Sequence, residues 1–278
     1  MSGFSPARRF LLFTFVFSWS LWCLGSWLRA GALRVKLPGV SFELPFYDAF
    51  LWIGAFGPGF VTLFMVGEKE DPSSLWARLT NWRVDQMWYS IATFLPVGLV
   101  TFATIAYAAS GGSVYWGAPT GYWSLFFIYL LLGSFWEELG WRGFLLPMLL
   151  RTRDPLRASL YLGVVWGLWH LPLRWGEWSG QPDAFFNFFL IFCIMTTGLA
   201  VIFTWMFLQT RGALFPVILL HAVFNVAVNL FVNPTATWQG MGLVLWLAAT
   251  VWLAALLIYR LGGPRKSANS TGPLATSH

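Results

Sequence analysis

The sequence predicts an all-α, polytopic membrane protein, and three observations support that fold class. Hydrophobic residues make up 58% of the 278 residues and charged residues only 10%, whereas a soluble domain carries about 25% charged residues. The mean hydropathy is +0.65. Two long runs, Gln86 to Trp136 and Gly212 to Tyr259, contain no Asp, Glu, Lys or Arg. This composition excludes a disordered chain, a secreted disulfide scaffold and a soluble nucleic-acid-binding protein.

Apolar stretches of near-spanning length recur along the whole chain. A membrane-spanning helix needs about 20 mostly apolar residues. The stretches of this kind are Phe10–Leu28, Ala49–Val66, Met87–Ala109, Tyr122–Leu150, Ala158–Leu173, Phe185–Leu208, Ala213–Val232 and Gln239–Tyr259. The sequence Gly57-Pro58-Gly59 predicts a kink in the second of them. We therefore expect about eight transmembrane helices in a bundle.

The basic residues predict how the chain is oriented. Lys and Arg collect next to the cytoplasmic ends of membrane helices. With the N-terminus inside, the inside segments carry twelve of these residues and the outside segments carry four. We expect a multi-pass protein of the plasma or inner membrane of a prokaryote, with membrane lipid around it and both termini in the cytoplasm.

Three predicted helices contain polar patches, and such residues are functional candidates because each ionisable one costs roughly 2.5–3.5 kcal/mol in a spanning segment. The patches are Glu137-Glu138 with Arg142 in the fourth helix, Trp166 with His170 in the fifth, and His221 with Asn225 in the seventh. Residues four apart share a helix face. We therefore expect Glu138 to pair with Arg142, Glu137 to face the bundle interior alone, and the Trp166 indole to form a wall beside His170.

Helix rise places these patches at one depth in the membrane. Glu137 and His170 both lie about 20 Å from the basic turn between the fourth and fifth helices, at 1.5 Å per residue. His221 and Asn225 lie about 15 and 21 Å from the same side. Four polar side chains from three helices are thus predicted to converge on one buried polar cavity, the expected active site.

One carboxylate, two imidazoles and one carboxamide suit hydrolysis of a carbonyl compound. Glu137 would take a proton from a water that His170 orients, and His221 and Asn225 would donate hydrogen bonds to the oxyanion. This version requires no cofactor. A second version uses zinc, held by Glu137, His170 and His221. The usual His-Glu-x-x-His pattern is absent, and the sequence leaves both versions open.

The sequence resembles the CAAX-protease and bacteriocin-processing family of intramembrane proteases, which includes the type II CAAX prenyl endopeptidases. The motifs that carry this resemblance are, in chain order, Glu-Glu-x-x-x-Arg, aromatic-x-x-x-His and His-x-x-x-Asn. The resemblance covers about residues 125–230 and the amphipathic segment around Arg78 and Arg83. It implies an eight-helix bundle that cleaves membrane-associated peptides or lipidated proteins. It also implies that Glu137 activates water, with Glu138 and Arg142 as supporting residues and with His170, His221 and Asn225 in the site. Trp166 stands where the family most often has Phe.

These predictions divide the chain into four parts. Residues 1–120 hold helices one to three with an interfacial amphipathic segment at 67–86, and residues 121–235 hold helices four to seven as the catalytic core. Residues 236–260 form the eighth helix. Residues 261–278, rich in Ser, Gly, Thr and Pro, are expected to be disordered.

Two functions of other classes compete with a membrane peptidase acting on peptides or lipidated proteins. One is a non-enzymatic bacteriocin-immunity or scaffold protein that keeps the fold for binding. The other is a small transporter that uses Glu137 as a proton carrier. The transporter is disfavoured because the sequence shows no repeat between two halves. The sequence gives no oligomeric state.

Overall fold

A computed structural model of the protein describes residues 5–30, 46–66, 72–114, 122–178, 182–231 and 238–262. Within these ranges every regular element is helical. The α-helices are α1 (Pro6–Ala30), α2 (Phe46–Ala55), α3 (Gly57–Met65), α4 (Pro72–Thr80), α5 (Gln86–Ala109), α6 (Tyr122–Ile128), α7 (Phe135–Gly140), α8 (Leu146–Leu150), α9 (Pro155–Trp169), α10 (Leu171–Trp178), α11 (Pro182–Gln209), α12 (Phe215–Phe231) and α13 (Trp238–Gly262).

Several described helices are long and apolar enough to cross a membrane. By length and composition these are Pro6–Leu28, Gln86–Ala109, Phe185–Gln209 and Met241–Leu261, and Phe215–Leu230 is a shorter apolar helix. The all-α polytopic fold class predicted from the sequence is confirmed. The helix α13 extends to Gly262, so the first two residues of the predicted tail are helical, and the remainder of that tail lies outside the described residues.

The predicted second helix is broken where the sequence indicated a kink. It consists of α2 and α3, which meet at Phe56, and Pro58 stands in the first turn of α3. The helix α3 packs closely against α7, because a Cβ atom on Gly140 would lie only 2.4 Å from Cβ of Pro58. A glycine at position 140 is therefore what lets the helix with both intramembrane glutamates approach α3.

The predicted fourth helix is not a uniform α-helix. Two π-helical segments, Tyr129–Ser134 and Trp141–Leu145, flank α7, which carries Glu137 and Glu138. A π-helical turn accommodates an extra residue and is frequent at functional sites. Hydropathy alone does not reveal such turns, because the backbone register changes while the side chains remain apolar.

The predicted C-terminal end of the fifth helix is wrong. It was expected to run from Ala158 to Leu173, but α9 ends at Trp169 and α10 begins at Leu171. Pro172 has no N–H group and cannot donate to the carbonyl of Leu168, so the helix is interrupted there. His170 therefore lies at the junction of two helices.

The helix α11 lies at the centre of the described bundle and packs against α9 and α13. It is the most buried of the long apolar helices. Gly163 and Gly167 of α9 allow close contact with it, since a Cβ atom on Gly163 would lie 2.5 Å from Cα of Thr197. The helix α12 packs against α5 and the first π-helical segment. This arrangement brings α7, α9 and α12 together around one interior region.

Candidate active site

A buried ion network connects the fourth and seventh predicted helices. Arg142 Nη1 donates to Glu138 Oε1 at 2.8 Å and to Oε2 at 3.0 Å. His221 Nδ1 donates to the same Oε1 at 2.8 Å. Glu138 and Arg142 are fully buried and His221 is 3% exposed. The predicted Glu138–Arg142 pair is present, whereas the sequence did not indicate the bond from His221.

This network determines which nitrogen of His221 faces the site. Because an ionised Glu138 carboxylate only accepts hydrogen bonds, Nδ1 of His221 carries the proton and Nε2 is left for another partner. Glu138 therefore both neutralises Arg142 and orients His221. A buried carboxylate with two such donors is a rigid support for an imidazole.

Aromatic rings enclose the guanidinium of Arg142. Its central carbon lies 4.9 Å from the ring centroid of Trp166 and 4.8 Å from that of Phe203. Its Nε and Nη2 atoms make no hydrogen bond to the described residues. The ring faces offset part of the cost of burying this charge, and the Glu138 carboxylate supplies the opposite charge.

Glu137 is held by a hydrogen bond from an indole. Trp166 Nε1 donates to Glu137 Oε2 at 2.7 Å, and Glu137 is 6% exposed. Glu137 thus faces the interior, as expected, and its Oε1 is left for another partner. The Trp166 ring also contacts both imidazoles, with centroid distances of 5.9 Å to His170 and 5.3 Å to His221. The indole wall was predicted, but the bond to Glu137 was not.

A signal for that bond was present in the sequence. An indole N–H in a membrane-spanning helix needs an acceptor, because the hydrocarbon supplies none. Glu137 was the intramembrane carboxylate without a predicted partner, and Trp166 lies one turn before His170, which was predicted at the depth of Glu137.

The helix junction sets the tautomer of His170. Its Nδ1 lies 2.8 Å from the carbonyl oxygen of Trp166. A carbonyl oxygen is only an acceptor, so Nδ1 donates, and Nε2 of the neutral ring is an acceptor. His170 is 8% exposed, and its ring packs against those of Trp169 and Phe192. Its Nε2 is suited to accept a hydrogen bond from water.

Asn225 lies one turn after His221 on α12 and is half-buried. Its backbone carbonyl accepts a hydrogen bond of 2.8 Å from Asn229 Nδ2, which also donates to the Tyr129 hydroxyl at 2.9 Å. The carboxamide of Asn225 itself makes no hydrogen bond to another residue in the described ranges. The structure therefore places Asn225 on the helix of His221 without joining it to the buried network, and the sequence reasoning missed Tyr129 and Asn229.

The side chains considered as zinc ligands do not form a metal-binding group. Within the described ranges, no three His, Cys, Asp or Glu residues are arranged to hold a metal ion. The Glu137 carboxylate is directed to Trp166, and His221 Nδ1 is bound to Glu138.

The protein is a polytopic α-helical bundle, and a carboxylate and two oriented imidazoles are buried between its helices. It therefore belongs to the class of membrane proteins with a polar site inside the membrane. Residues 119–227 match the family described as type II CAAX prenyl endopeptidase Rce1-like. The chain is also 26% identical over 239 residues to "CAAX prenyl protease 2" of Methanococcus maripaludis, and the match covers 78% of this chain and 82% of that relative. These matches confirm the family resemblance predicted from the motifs and support a peptidase.

Proposed function

We propose that the protein is an intramembrane endopeptidase in which Glu137 activates water without a metal ion. The observation that carries this proposal is the hydrogen bond from Trp166 to Glu137 Oε2. It fixes the carboxylate in the interior and leaves Oε1 as the base. His170, whose Nε2 is an acceptor, lies against the same indole and would orient the water.

The proposed hydrolysis proceeds in two proton transfers. Glu137 Oε1 takes a proton from water as the water oxygen bonds to the substrate carbonyl carbon, and the carbonyl π electrons move to its oxygen. The tetrahedral intermediate then collapses, the C–N bond breaks, and Glu137 returns its proton to the leaving nitrogen. The products are a carboxylic acid and an amine, and Glu137 is regenerated.

His221 and Asn225 are the proposed donors to the oxyanion. Because Nδ1 of His221 is bonded to Glu138, the opposite ring nitrogen, Nε2, points away from Glu138 and would donate to the oxyanion when it carries a proton. Asn225, one turn further along α12, would donate from its Nδ2.

The proposed substrates are membrane-associated peptides and lipidated proteins, including proteins with a prenylated CAAX end, as the name of the archaeal relative suggests. The test uses the full chain in detergent with a fluorogenic CAAX peptide, either prenylated or not. We expect cleavage of the prenylated peptide, with both product fragments identified by mass. Cleavage of the unprenylated peptide alone would refute the lipidated substrate, and cleavage of neither would refute the proposed function.

Removing metal ions should leave this activity intact. After treatment with a strong zinc chelator, we expect kcat to stay within about twofold of the untreated protein, because the base is Glu137 and the donors are side chains. Elemental analysis of the active protein should find zinc far below one atom per chain. Stoichiometric zinc whose removal abolishes turnover, and whose return restores it, would contradict the metal-free mechanism.

Replacing Asn225 by Ala should lower kcat by about 100- to 1,000-fold if its carboxamide donates to the oxyanion. The matched control is Asn229→Ala on the same helix, which removes the bonds to the Tyr129 hydroxyl and to the backbone carbonyl of Asn225 but leaves the Asn225 carboxamide in place. This control should stay within about threefold of the unmodified protein. Equal turnover of the Asn225 variant and the unmodified protein would show that Asn225 only packs.

A further inference from the structure

The short helix α4 is attached to the protein through Arg78. Arg78 Nη1 donates to the carbonyl oxygen of Gly143 at 2.7 Å. The backbone N–H of Leu214 donates to the carbonyl oxygen of Arg78 at 3.0 Å. One residue thus contacts both the fourth predicted helix, beside Arg142, and the turn that leads into α12, the helix that carries His221.

The carbonyl that Arg78 binds belongs to the second π-helical segment, Trp141–Leu145. Arg142, next to Gly143, is a member of the same segment. A π-helical turn changes the bonding register of its carbonyl groups, and inside a membrane protein each carbonyl needs an internal donor. The Arg78 guanidinium supplies a charged donor, which makes a stronger bond than a neutral one.

The second π-helical segment, α4 and the start of α12 pack together at Gly143. A Cβ atom on Gly143 would lie 3.0 Å from Cδ1 of Leu75 and 3.2 Å from Cδ1 of Leu214. Leu75 is 2% exposed and Leu214 is fully buried. The inner face of α4 therefore fits between the π-helical segment and the start of α12.

The aromatic residues of the outer face of the same region are exposed. Trp76 is 54% exposed and Trp82 is 60% exposed. The guanidinium of Arg83 lies 5.3 Å from the Trp82 ring centroid. This face has the amphipathic character expected of a segment in the membrane interface. It also offers Arg83 as an internal comparison for Arg78, with the same charge but different contacts.

We propose that Arg78 is a positioning residue for the buried Glu138 network. By fixing the π-helical segment against the start of α12, it keeps Arg142 and His221 at the spacing at which one Glu138 carboxylate binds both. Arg78 touches neither the substrate nor the reacting atoms. The inference rests on the proposed peptidase function, because its catalytic effect passes through the orientation of His221.

The test compares Arg78→Ala, Arg78→Lys and Arg83→Ala in the purified full chain. Displacement of a catalytic group by about 1 Å costs up to about 100-fold in rate, so Arg78→Ala should lower kcat by about 10- to 100-fold with KM within about twofold. Arg78→Lys retains a charged donor for the carbonyl of Gly143 and should recover kcat to within about fivefold. Arg83→Ala should match the unmodified protein.

Hydrogen–deuterium exchange of the same proteins gives a readout that does not depend on activity. Peptides covering residues 141–150 and 213–221 should exchange faster in Arg78→Ala than in the unmodified protein. Their exchange rates in Arg83→Ala should equal those of the unmodified protein. If the alanine variant does not fold, Arg78→Lys, which keeps a donor to the carbonyl of Gly143, is compared with the unmodified protein instead.

The two failures are distinguishable. An unmodified protein without peptidase activity refutes the proposed function, while faster exchange confined to the Arg78 variants still supports the structural junction. Unchanged kcat and unchanged exchange in Arg78→Ala, equal losses in the Arg83 variant, or no recovery by lysine would each overturn the role of Arg78.

Discussion

Glu137→Gln should lower kcat for peptide hydrolysis by at least about 1,000-fold and leave KM within about threefold. Glutamine has the same shape as glutamate, and its carbonyl oxygen can still accept the hydrogen bond from Trp166 Nε1. The carboxamide cannot take a proton from water at neutral pH. The variant should therefore bind substrate and fold normally while losing the base. Single-turnover kinetics with the prenylated fluorogenic peptide measure the chemical step directly.

The unmodified protein and Trp166→Phe are the controls for this variant. Phenylalanine keeps an aromatic wall but removes the indole N–H. Because Glu137 keeps its carboxylate in this variant, Trp166→Phe should lose less activity than Glu137→Gln. If Glu137→Gln retained more than about a tenth of normal turnover, general-base catalysis by Glu137 would be refuted. A biological role that survived Glu137→Gln in cells unchanged would instead indicate the immunity or scaffold function.

Features that depend on local spacing were predictable from the sequence. The Glu138–Arg142 pair lies within one helix, four residues apart, and the structure contains it. The break near Pro58 followed from the chemistry of proline and glycine. The break at His170 could have been predicted in the same way from Pro172, but the apolar run hid it.

Features that depend on side-chain direction between distant helices were not predictable. Helix rise placed Glu137, His170 and His221 at one depth, but depth does not determine which atom of a residue meets which partner. His221 and Glu138 are 83 residues apart, and their bond depends on how α12 is rotated against α7. The contact of Arg78 with Gly143 depends in addition on a π-helical turn that no periodicity signals.

Glu138→Leu should lower the free energy of unfolding in detergent by about 3–5 kcal/mol, because it leaves Arg142 buried without its carboxylate partner. Both described hydrogen bonds of Arg142 go to Glu138, and the guanidinium is fully buried. Adding Arg142→Met removes the stranded charge and fills similar volume. The double variant should therefore recover most of the lost stability in a denaturation series.

The double variant should recover stability but not activity. This difference separates the two roles of Glu138, which are to neutralise Arg142 and to orient His221. The double variant still lacks the acceptor for His221 Nδ1, so its kcat should remain about 100-fold or more below normal. Arg157→Met, which breaks an exposed ion pair with Asp154, is the matched control and should change neither property. A double variant as unstable as Glu138→Leu would show that the buried charge of Arg142 is not the cause of the loss. A stable and fully active double variant would show that His221 needs no carboxylate to orient it, and the proposed oxyanion donor would then depend on the packing of Trp166 and Phe203 alone.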